Sequence, residues 1–352
     1  MNILILGGTG AMGTHLCQIL ANGGGIFVTS RRERKAENGV TYLKGNAHEE
    51  QFLYTILKKR NWDAIVDFMI YSTDEFRQRA DLLLQSTKQY VFLSSARVYA
   101  DSKTPITEDS PRLLDVCKDQ KYLSTDEYAL TKARQEDILR QSGKHNWTII
   151  RPYVTFSEIR LQLSPAEKES WLWGALHGKS ILFSRDLAEK YTTLTYGYDV
   201  ARGIAAIIGK DTACGEAFHI TVSESHKWGE LLDNYLNTIE RKTGHRPKVK
   251  LLDRWDYLMG GGPMQVKWDR LYDRRFDNSK ISKYIDTSTF KQTLPAMSEC
   301  LSAFIDNPEF KPINWGCEAK KDRLTGEWTK ISEITGVKQK IKYLLIRCGL
   351  YR

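Results

Sequence analysis

The first 150 residues alternate short apolar runs with stretches of helical periodicity. The apolar runs lie at residues 3–6, 26–29, 64–70, 90–93 and 148–150. The helical stretches lie at residues 11–21, 49–60, 74–86 and 126–141. Runs that are apolar on both faces are typical of buried parallel strands. The alternation therefore predicts an α/β fold, a doubly wound parallel sheet with helices on both faces.

After residue 155 the pattern loosens, which predicts a second, smaller lobe. A Ser-Pro-Ala-Glu sequence predicts a helix start at Ser164. Helical periodicity returns at residues 198–208, 227–242 and 290–304, and residues 216–222 are strand-like. We expect the sheet domain to comprise residues 1–155 plus segments near 190–225. The smaller lobe then comprises residues 156–189 and 226–319, and residues 320–352 form a basic C-terminal extension.

The composition is that of a folded protein. Of 352 residues, 41% are hydrophobic and 27% are charged, which excludes a disordered chain or a fibrous repeat. The six cysteines form no CxxC pair and the seven histidines show no ligand spacing, so we expect reduced thiols and no metal site. No apolar stretch reaches the ~20 residues that cross a bilayer, and no basic leader opens the sequence. We expect a cytoplasmic protein without a membrane span.

The net charge of +9 is unevenly distributed. Residues 320–352 hold nine Lys/Arg and three acids, which leaves only +3 for residues 1–319. A nucleic-acid-binding fold would need a basic face on its body, so the charge argues against a nucleic-acid partner. The segment 341–347 fits an amphipathic helix that touches anionic lipid or a partner, or one that packs on its own domain. We favour the second interpretation.

A glycine-rich loop follows the first apolar run and opens the first helical stretch. Glycines at positions 7, 10 and 13 permit a tight turn, close backbone approach to a pyrophosphate, and close contact between helix and strand. The alternative is a glycine-rich turn that binds nothing, but the strand–loop–helix context favours dinucleotide binding in a Rossmann domain. The predicted pyrophosphate loop comprises Gly7, Thr9, Gly10, Ala11, Met12 and Gly13.

The second strand ends without the acid that would bind the ribose 2′-hydroxyl of NAD. Ser30, Arg31 and Arg32 stand there instead, and arginines form forked hydrogen bonds to a 2′-phosphate. Alternatively both arginines face solvent and Glu33 reaches the ribose. We favour NADP over NAD as the cofactor.

Two further signals point to acid–base chemistry. Tyr128 and Lys132 are four residues apart on a predicted helix and share one face. A nearby ammonium and a cationic nicotinamide both favour a phenolate, which moves a proton on a sugar hydroxyl. Ser94 and Ser95 follow a predicted central strand, at the carboxyl edge where ligands of parallel sheets bind.

Taken together, these motifs resemble the extended short-chain dehydrogenase/reductase family, also called the NAD-dependent epimerase/dehydratase family. The resemblance covers about residues 1–285. It rests on GGTGAMG at 7–13, LSSARVY at 93–99, YALTK at 128–132, Arg-Pro at 151–152, YDVAR at 198–202 and DNSK at 277–280. It implies that Ser95 is the catalytic serine, Tyr128 the acid/base and Lys132 its support and a contact of the cofactor ribose. It also implies a homodimer through helices that include residues 126–141.

The sequence departs from the family pattern at several positions. Asn46 stands where an adenine-contacting Asp is expected, and the bulky stretch 67–71 replaces small residues, which places Phe68 on the cofactor side of the pocket. Val154 replaces the Asn of an Arg-x-x-Asn element. Ser95 is followed by Ala96 and Arg97, where the 4,6-dehydratases carry Thr-Asp-Glu. This last departure disfavours dehydration.

The resemblance further implies a nucleoside-diphosphate sugar as the small-molecule substrate. Its diphosphate needs cations, and Arg274 and Arg275 are candidates, although they equally fit a solvated turn. Ser95, Arg97 and Tyr153 complete the predicted substrate-binding set.

The sequence thus predicts an NAD(P)-dependent oxidoreductase acting by hydride transfer at a sugar carbon. A cofactor that stays bound and returns its hydride to the opposite face makes a 4-epimerase; one that arrives as NADPH and leaves oxidised makes a 4-ketoreductase. The alternative is a non-catalytic scaffold of the same fold that binds RNA or a protein partner.

Overall fold

The computed structural model describes residues 1–21, 23–37 and 39–350, and the chain divides into two units. The first unit comprises Met1–Thr155, Thr193–Ser225 and Arg274–Thr293. The second unit comprises Phe156–Thr192, His226–Asp273 and the chain from Leu294 onward. Residues 274–293, expected in the smaller lobe, thus lie in the sheet unit.

The described strands are β1 (Asn2–Leu6), β2 (Gly25–Ser30), β3 (Val40–Lys44), β4 (Trp62–Asp67), β5 (Thr87–Leu93), β6 (Trp147–Ile150), β7 (Val154–Phe156), β8 (Ile181–Ser184), β9 (Tyr191–Thr192), β10 (Leu194–Tyr196), β11 (Glu216–Phe218), β12 (His226–Lys227) and β13 (Val249–Leu252). The described α-helices are α1 (Gly13–Leu20), α2 (Glu50–Leu57), α3 (Thr73–Gln85), α4 (Leu113–Val116), α5 (Gln120–Leu123), α6 (Tyr128–Arg140), α7 (Lys168–Leu176), α8 (Arg185–Ala188), α9 (Gly197–Ile207), α10 (Trp228–Thr243), α11 (Pro263–Gln265), α12 (Thr293–Asp306), α13 (Trp315–Thr325) and α14 (Val337–Arg347).

A seven-stranded parallel sheet forms the centre of the first unit. Its strand order is β11-β6-β5-β4-β1-β2-β3. Six of these strands follow the order 3-2-1-4-5-6 of doubly wound dinucleotide-binding folds. The predicted α/β fold with a parallel sheet is confirmed.

Alternate residues of β1 show why the sheet is buried on both faces. Ile3 and Ile5 belong to one hydrophobic cluster, which includes side chains of α1 and α9. Leu4 and Leu6 belong to another, which includes side chains of α2 and α3. Because side chains of a strand alternate between faces, a run of consecutive apolar residues requires a layer of helices on each side.

The sheet edge and the second unit differ from expectation in two places. Strand β3 was not predicted, because only Val40 of its residues is buried and the strand lacks an apolar run. The helix start predicted at Ser164 is wrong: Ser164 adopts a φ of +54° and α7 begins at Lys168. A left-handed φ is incompatible with capping a helix there.

Residues 315–347 are part of the second unit. Trp315, Ala319, Ile334, Tyr343 and Ile346 form a hydrophobic cluster, to which α7 contributes a tryptophan. The segment expected as a basic extension is therefore packed on its own unit through these side chains. Within the described residues, no helix is both long and apolar enough to cross a bilayer.

Candidate active site

The glycine loop lies between β1 and α1, at the carboxyl end of the sheet. Gly7 has a φ of +72°, which favours glycine. A Cβ on Gly13 would lie 2.7 Å from the Gly8 backbone, so only glycine permits this approach of helix and strand. Gly10 is exposed, and a Cβ there would meet nothing within 4 Å. Packing does not explain Gly10, whereas the close approach of a ligand would.

The start of α1 is open to an anion. Met12 occupies the N-cap position, no side chain caps the helix, and its first turn carries no acid. Thr9 and Gly10 beside it are exposed, while Ala11 and Met12 are half-buried. Uncapped N–H groups at a helix N-terminus attract phosphates. These residues fit the pyrophosphate of a dinucleotide.

The end of β2 presents two cations. Thr29 Oγ1 accepts a hydrogen bond from Gly7 N at 3.0 Å, which ties the loop to this strand. The buried Ser30 hydroxyl donates to the Arg32 carbonyl at 2.8 Å. Arg31 and Arg32 are exposed and, within the described part of the chain, make no side-chain hydrogen bond or ion pair. Both guanidiniums are available to a phosphate.

The two other polar groups near this strand have local partners. Glu33 forms an exposed ion pair with Lys44 at 3.0 Å. Asn46 Oδ1 accepts from the His48 N–H at 3.2 Å, and its amide contacts Glu49 at 3.5 Å. The Asn46 side chain thus shapes the turn that leads into α2.

The bulky stretch 67–71 contacts two regions: Asp67 is buried in the interior, and Met69 lies against the glycine loop. Asp67 is fully buried and accepts hydrogen bonds from Tyr90 Oη at 2.7 Å, Tyr71 Oη at 3.1 Å and the Met69 N–H at 2.9 Å. Burial raises the pKa of Asp67, and these hydrogen bonds oppose the shift. Met69 Sδ lies 2.9 Å from where a Gly7 Cβ would be, and Phe68 is half-buried.

Ser95 lies just beyond β5, where its side chain caps a short 3₁₀ helix. Its Oγ accepts a hydrogen bond from the Arg97 N–H at 3.2 Å. The Arg97 guanidinium lies 5.2 Å from the centre of the Tyr128 ring and forms an ion pair with Glu127 at 2.5 Å. Arg97 therefore joins the serine segment to the first turn of α6, where Tyr128 is half-buried.

Lys132 lies one turn further along α6. Its ammonium is buried and donates to the Leu93 carbonyl at 2.7 Å, above the ring of Phe92. Burial lowers the pKa of Lys132 to about 8, against the opposing charges of Asp67 and Glu136. The acceptor, Leu93, lies two residues before Ser95 in the chain. The structure thus brings the three predicted catalytic residues to the same sheet edge.

Glu136, which sequence reasoning did not assign to the site, continues the same face of α6. It is fully buried and accepts from Ser94 Oγ at 2.5 Å and from Arg151 Nε and Nη2 at 2.9 and 2.7 Å. Burial would raise the pKa of Glu136, but Arg151, Ser94 and Arg112 hold it below its usual range. The spacing 128, 132, 136 is a signal that points to this residue.

A chain of buried polar groups extends from Arg151. Its Nη1 donates to Tyr99 Oη and to the Glu108 carbonyl, both at 2.9 Å. Tyr99 Oη lies 3.3 Å from His219 Nδ1, and His219 Nε2 lies 2.6 Å from the Asp277 carbonyl. Burial lowers the pKa of His219 to about 4, which matches a neutral ring that donates to this carbonyl and accepts from Tyr99.

The predicted substrate residues occupy different environments. Arg274 is completely buried and donates to the Tyr99 and Ala100 carbonyls, each at 3.0 Å. A guanidinium without exposed surface offers a phosphate nothing to contact in this conformation. Arg275 is exposed. Tyr153 is buried with its ring 5.4 Å from that of Phe276. Among the described residues, no cluster of His, Cys, Asp and Glu could hold a metal ion.

The model of the NAD dependent epimerase/dehydratase family matches residues 3–221. The chain belongs to this family. The match covers more than half of the chain, including the glycine loop and all three predicted catalytic residues, so the resemblance is confirmed. A search of curated protein sequences finds no match.

Solved structures of this family share the fold. A dTDP-glucose 4,6-dehydratase from Bacillus anthracis is 17% identical, with a TM-score of 0.66 over 88% of this chain and 98% of that one. A UDP-glucose 4-epimerase from Bifidobacterium longum is 19% identical, with a TM-score of 0.65 over 88% and 99%. A UDP-glucuronic acid 4-epimerase from Bacillus cereus is 17% identical, with a TM-score of 0.65 over 88% and 100%. At these low sequence identities, the structural similarity establishes the fold of this chain and not its reaction.

Proposed function

We propose that the chain is an NAD(P)-dependent oxidoreductase of nucleoside-diphosphate sugars, of the 4-epimerase or 4-ketoreductase type. The observation that carries the proposal is the position of Lys132. It is a buried ammonium on the helix face of Tyr128, bonded to the strand end that leads to Ser95. A binding scaffold has no physical need for a buried ammonium on the helix that begins at Tyr128.

The glycine loop is the proposed dinucleotide site. Residues 7–13 would hold the pyrophosphate at the uncapped start of α1, and Phe68 would lie on the cofactor side of the pocket. Arg31 and Arg32 support NADP, because exposed guanidiniums suit a 2′-phosphate. The solved structures of the dehydratase and both epimerases contain NAD. When bound, the nicotinamide supplies the hydride acceptor or donor at the sugar carbon.

In the proposed reaction, Tyr128 gives a proton to, or takes one from, the sugar hydroxyl. A nearby ammonium favours the phenolate over the phenol, and Lys132 supplies that charge. Ser95 Oγ accepts from Arg97 N, and the described residues provide no acceptor for its own proton. The serine hydroxyl is therefore able to donate to the reacting oxygen. Positioned acid–base groups of this kind accelerate reactions by about 10²- to 10⁴-fold.

The substrate class rests on the family and on the related structures. The Bifidobacterium enzyme is a complex with UDP and the Bacillus cereus enzyme is a complex with UDP-glucuronic acid. Arg97, Tyr153 and Arg275 are the candidate contacts on this chain, and Arg275 is preferred to the buried Arg274. Ala96 and Arg97 after Ser95 favour epimerase or reductase over 4,6-dehydratase.

The experiment is to denature the purified protein, identify released nucleotides by mass spectrometry, and titrate the protein with NADH and NADPH. Bound NAD(H) would support an epimerase and would contradict the role given to Arg31 and Arg32. Protein that carries no cofactor and prefers NADPH would support a ketoreductase. Binding of neither would overturn the proposal in favour of a scaffold. Sedimentation of the same preparation tests the proposed homodimer.

A further inference from the structure

Helix α14 carries a second apolar face that the second unit does not cover. Its inner side chains, Tyr343 and Ile346, are buried in the hydrophobic cluster of residues 315–347. On the opposite side lie four exposed apolar side chains, here called the outer stripe: Val337, Ile341, Leu344 and Leu345, with exposures of 72%, 53%, 39% and 37%. At 3.6 residues per turn, the outer stripe spans about 100° of the helix surface.

Cations border the outer stripe on both sides. Helical geometry places Lys338 and Lys342 along one edge and Lys340 and Arg347 along the other. The sequence of α14 contains no Asp or Glu. Beside the helix, the Trp328 ring is 54% exposed and packs under the Arg347 guanidinium, 4.3 Å from its centre. An aromatic side chain next to a basic helix is typical of the interface between a membrane and water.

The nearby acids do not neutralise these cations. The buried Asp322 carboxylate lies 2.7 Å from the Lys179 ammonium. Glu318 forms an ion pair with Lys321. The Glu327 carboxylate accepts hydrogen bonds from Ser180. Two of the three acids of residues 320–352, Asp322 and Glu327, are thus bound inside the second unit. Glu333 is the third, and one carboxylate does not balance the four cations of α14.

Isolated exposed apolar side chains are normal, but a contiguous row at helical spacing marks a binding surface. The charge pattern favours an anionic partner. An apolar stripe between two rows of cations matches a bilayer of anionic lipids, in which the stripe enters the acyl boundary and the cations contact headgroup phosphates.

We propose that the outer stripe of α14 docks the protein on the surface of an anionic phospholipid bilayer. The helix lies in the plane of the interface, with Val337, Ile341, Leu344 and Leu345 toward the acyl chains. In this arrangement none of the described helices crosses the membrane. The inference is independent of the proposed enzymatic function.

The test is co-sedimentation of the full-length protein with phosphatidylcholine vesicles that contain or lack phosphatidylglycerol, at low and high salt. We expect binding only to the anionic vesicles, weakened by salt because screening reduces the attraction. Ile341→Ser/Leu344→Ser should weaken binding at least tenfold. Lys338→Gln/Lys342→Gln should weaken it roughly thirtyfold, since each cation near the surface contributes about a factor of five.

Matched control variants are Ile159→Ser/Val116→Ser and Lys58→Gln/Lys59→Gln, which change exposed residues elsewhere. We expect both controls to bind like the unaltered protein. Equal binding to both vesicle types, or to neither, would overturn the proposal. So would a stripe variant that binds normally. If the stripe variant instead dissociates an oligomer in sedimentation without lipid, the stripe contacts a second copy of the chain and the proposal is wrong.

Discussion

Each unit contains a buried ion network, and the two networks differ in what surrounds them. In the first unit, Glu136 joins Arg151 to Ser94 beneath the predicted catalytic residues. In the second, the Lys179 ammonium contacts Asp322 at 2.7 Å and Glu318 at 3.1 Å, and donates to Thr329 at 2.8 Å.

The neighbours of each network indicate its role. Glu136 lies one helical turn from Lys132 and opposes the lowering of its pKa. Asp322 accepts from Tyr343 Oη at 2.6 Å and thereby joins α13 to α14. Burying an ion pair is costly, and replacing both partners by apolar groups is often neutral or stabilising, so its retention calls for a further reason. We infer that the first network positions reactive groups, whereas the second fixes the packing of helices.

Glu136→Gln should give the largest loss of stability. The substitution leaves the buried Arg151 without its countercharge, and loss of one partner of a buried pair costs about 3–5 kcal/mol. Urea denaturation measures the free energy of unfolding, with the exposed Glu309→Gln as control. Cofactor affinity of the folded variant should also fall, because Lys132 loses a stabilising charge. A stability within error of the control would contradict the role of Glu136.

Lys179→Met should destabilise the protein by about 3 kcal/mol without altering cofactor affinity. It leaves Asp322 and Glu318 buried, although Lys321 still pairs with Glu318. Urea denaturation and NADH or NADPH titration of the folded variant give the two quantities. A loss of cofactor affinity comparable to that of Glu136→Gln would remove the distinction between the networks.

The first network extends through Arg151 and Tyr99 to a histidine, His219, which adds its own pH dependence to the stability of the protein. The pKa of His219 is about 4 in the folded protein and about 6.5 in an unfolded chain. As the pH falls from about 6.5 to 4, the unfolded state binds the proton first, and about 3 kcal/mol of stability is lost. His219→Gln should remove this part of the pH dependence. Identical pH profiles of stability for both proteins would show that His219 is not held neutral.

The smallest expected difference comes from two hydroxyl deletions. Ser94→Ala removes the hydrogen bond to the buried Glu136 carboxylate, which contributes about 1.5–3 kcal/mol. Thr329→Val removes the hydrogen bond to the buried Asp322 carboxylate and also the one that Thr329 accepts from Lys179. We therefore expect a somewhat larger loss for Thr329→Val in urea denaturation. Only Ser94→Ala should also lower the rate of the proposed reaction, because Ser94 precedes Ser95. An equal effect of Thr329→Val on the rate would contradict the assignment.

The sequence predicted the central strands because each is apolar on both faces. It missed β3, whose alternating exposure at the sheet edge leaves only Val40 buried. Ser164 shows that capping residue types do not determine the backbone angle. The order of the motifs along the chain predicted the family, since those motifs depend on short spacings that a sequence displays.

The buried network could not be predicted in the same way. Glu136 lies 15 residues from Arg151 and 42 residues from Ser94, and only the fold brings them together. His219 has no local pattern around it. Arg274 and Arg275 are adjacent and chemically identical, yet one is buried and the other exposed. Burial depends on tertiary contacts, which residue type and spacing do not specify.

The most direct test of the account follows the redox state of the nicotinamide when nucleotide sugars are added. The protein is supplied with oxidised or reduced cofactor and then with UDP-, dTDP- or GDP-sugars, and the absorbance of the reduced nicotinamide is recorded for the unaltered protein and Tyr128→Phe. The sugar is recovered from the same samples and its configuration is determined by NMR. We expect one sugar class to react, with a net absorbance change for a ketoreductase or with formation of the C4 epimer at constant absorbance for an epimerase. The variant should react about 10²- to 10⁴-fold more slowly. Equal rates in the two proteins, or neither an absorbance change nor an epimer with any sugar, would contradict the account.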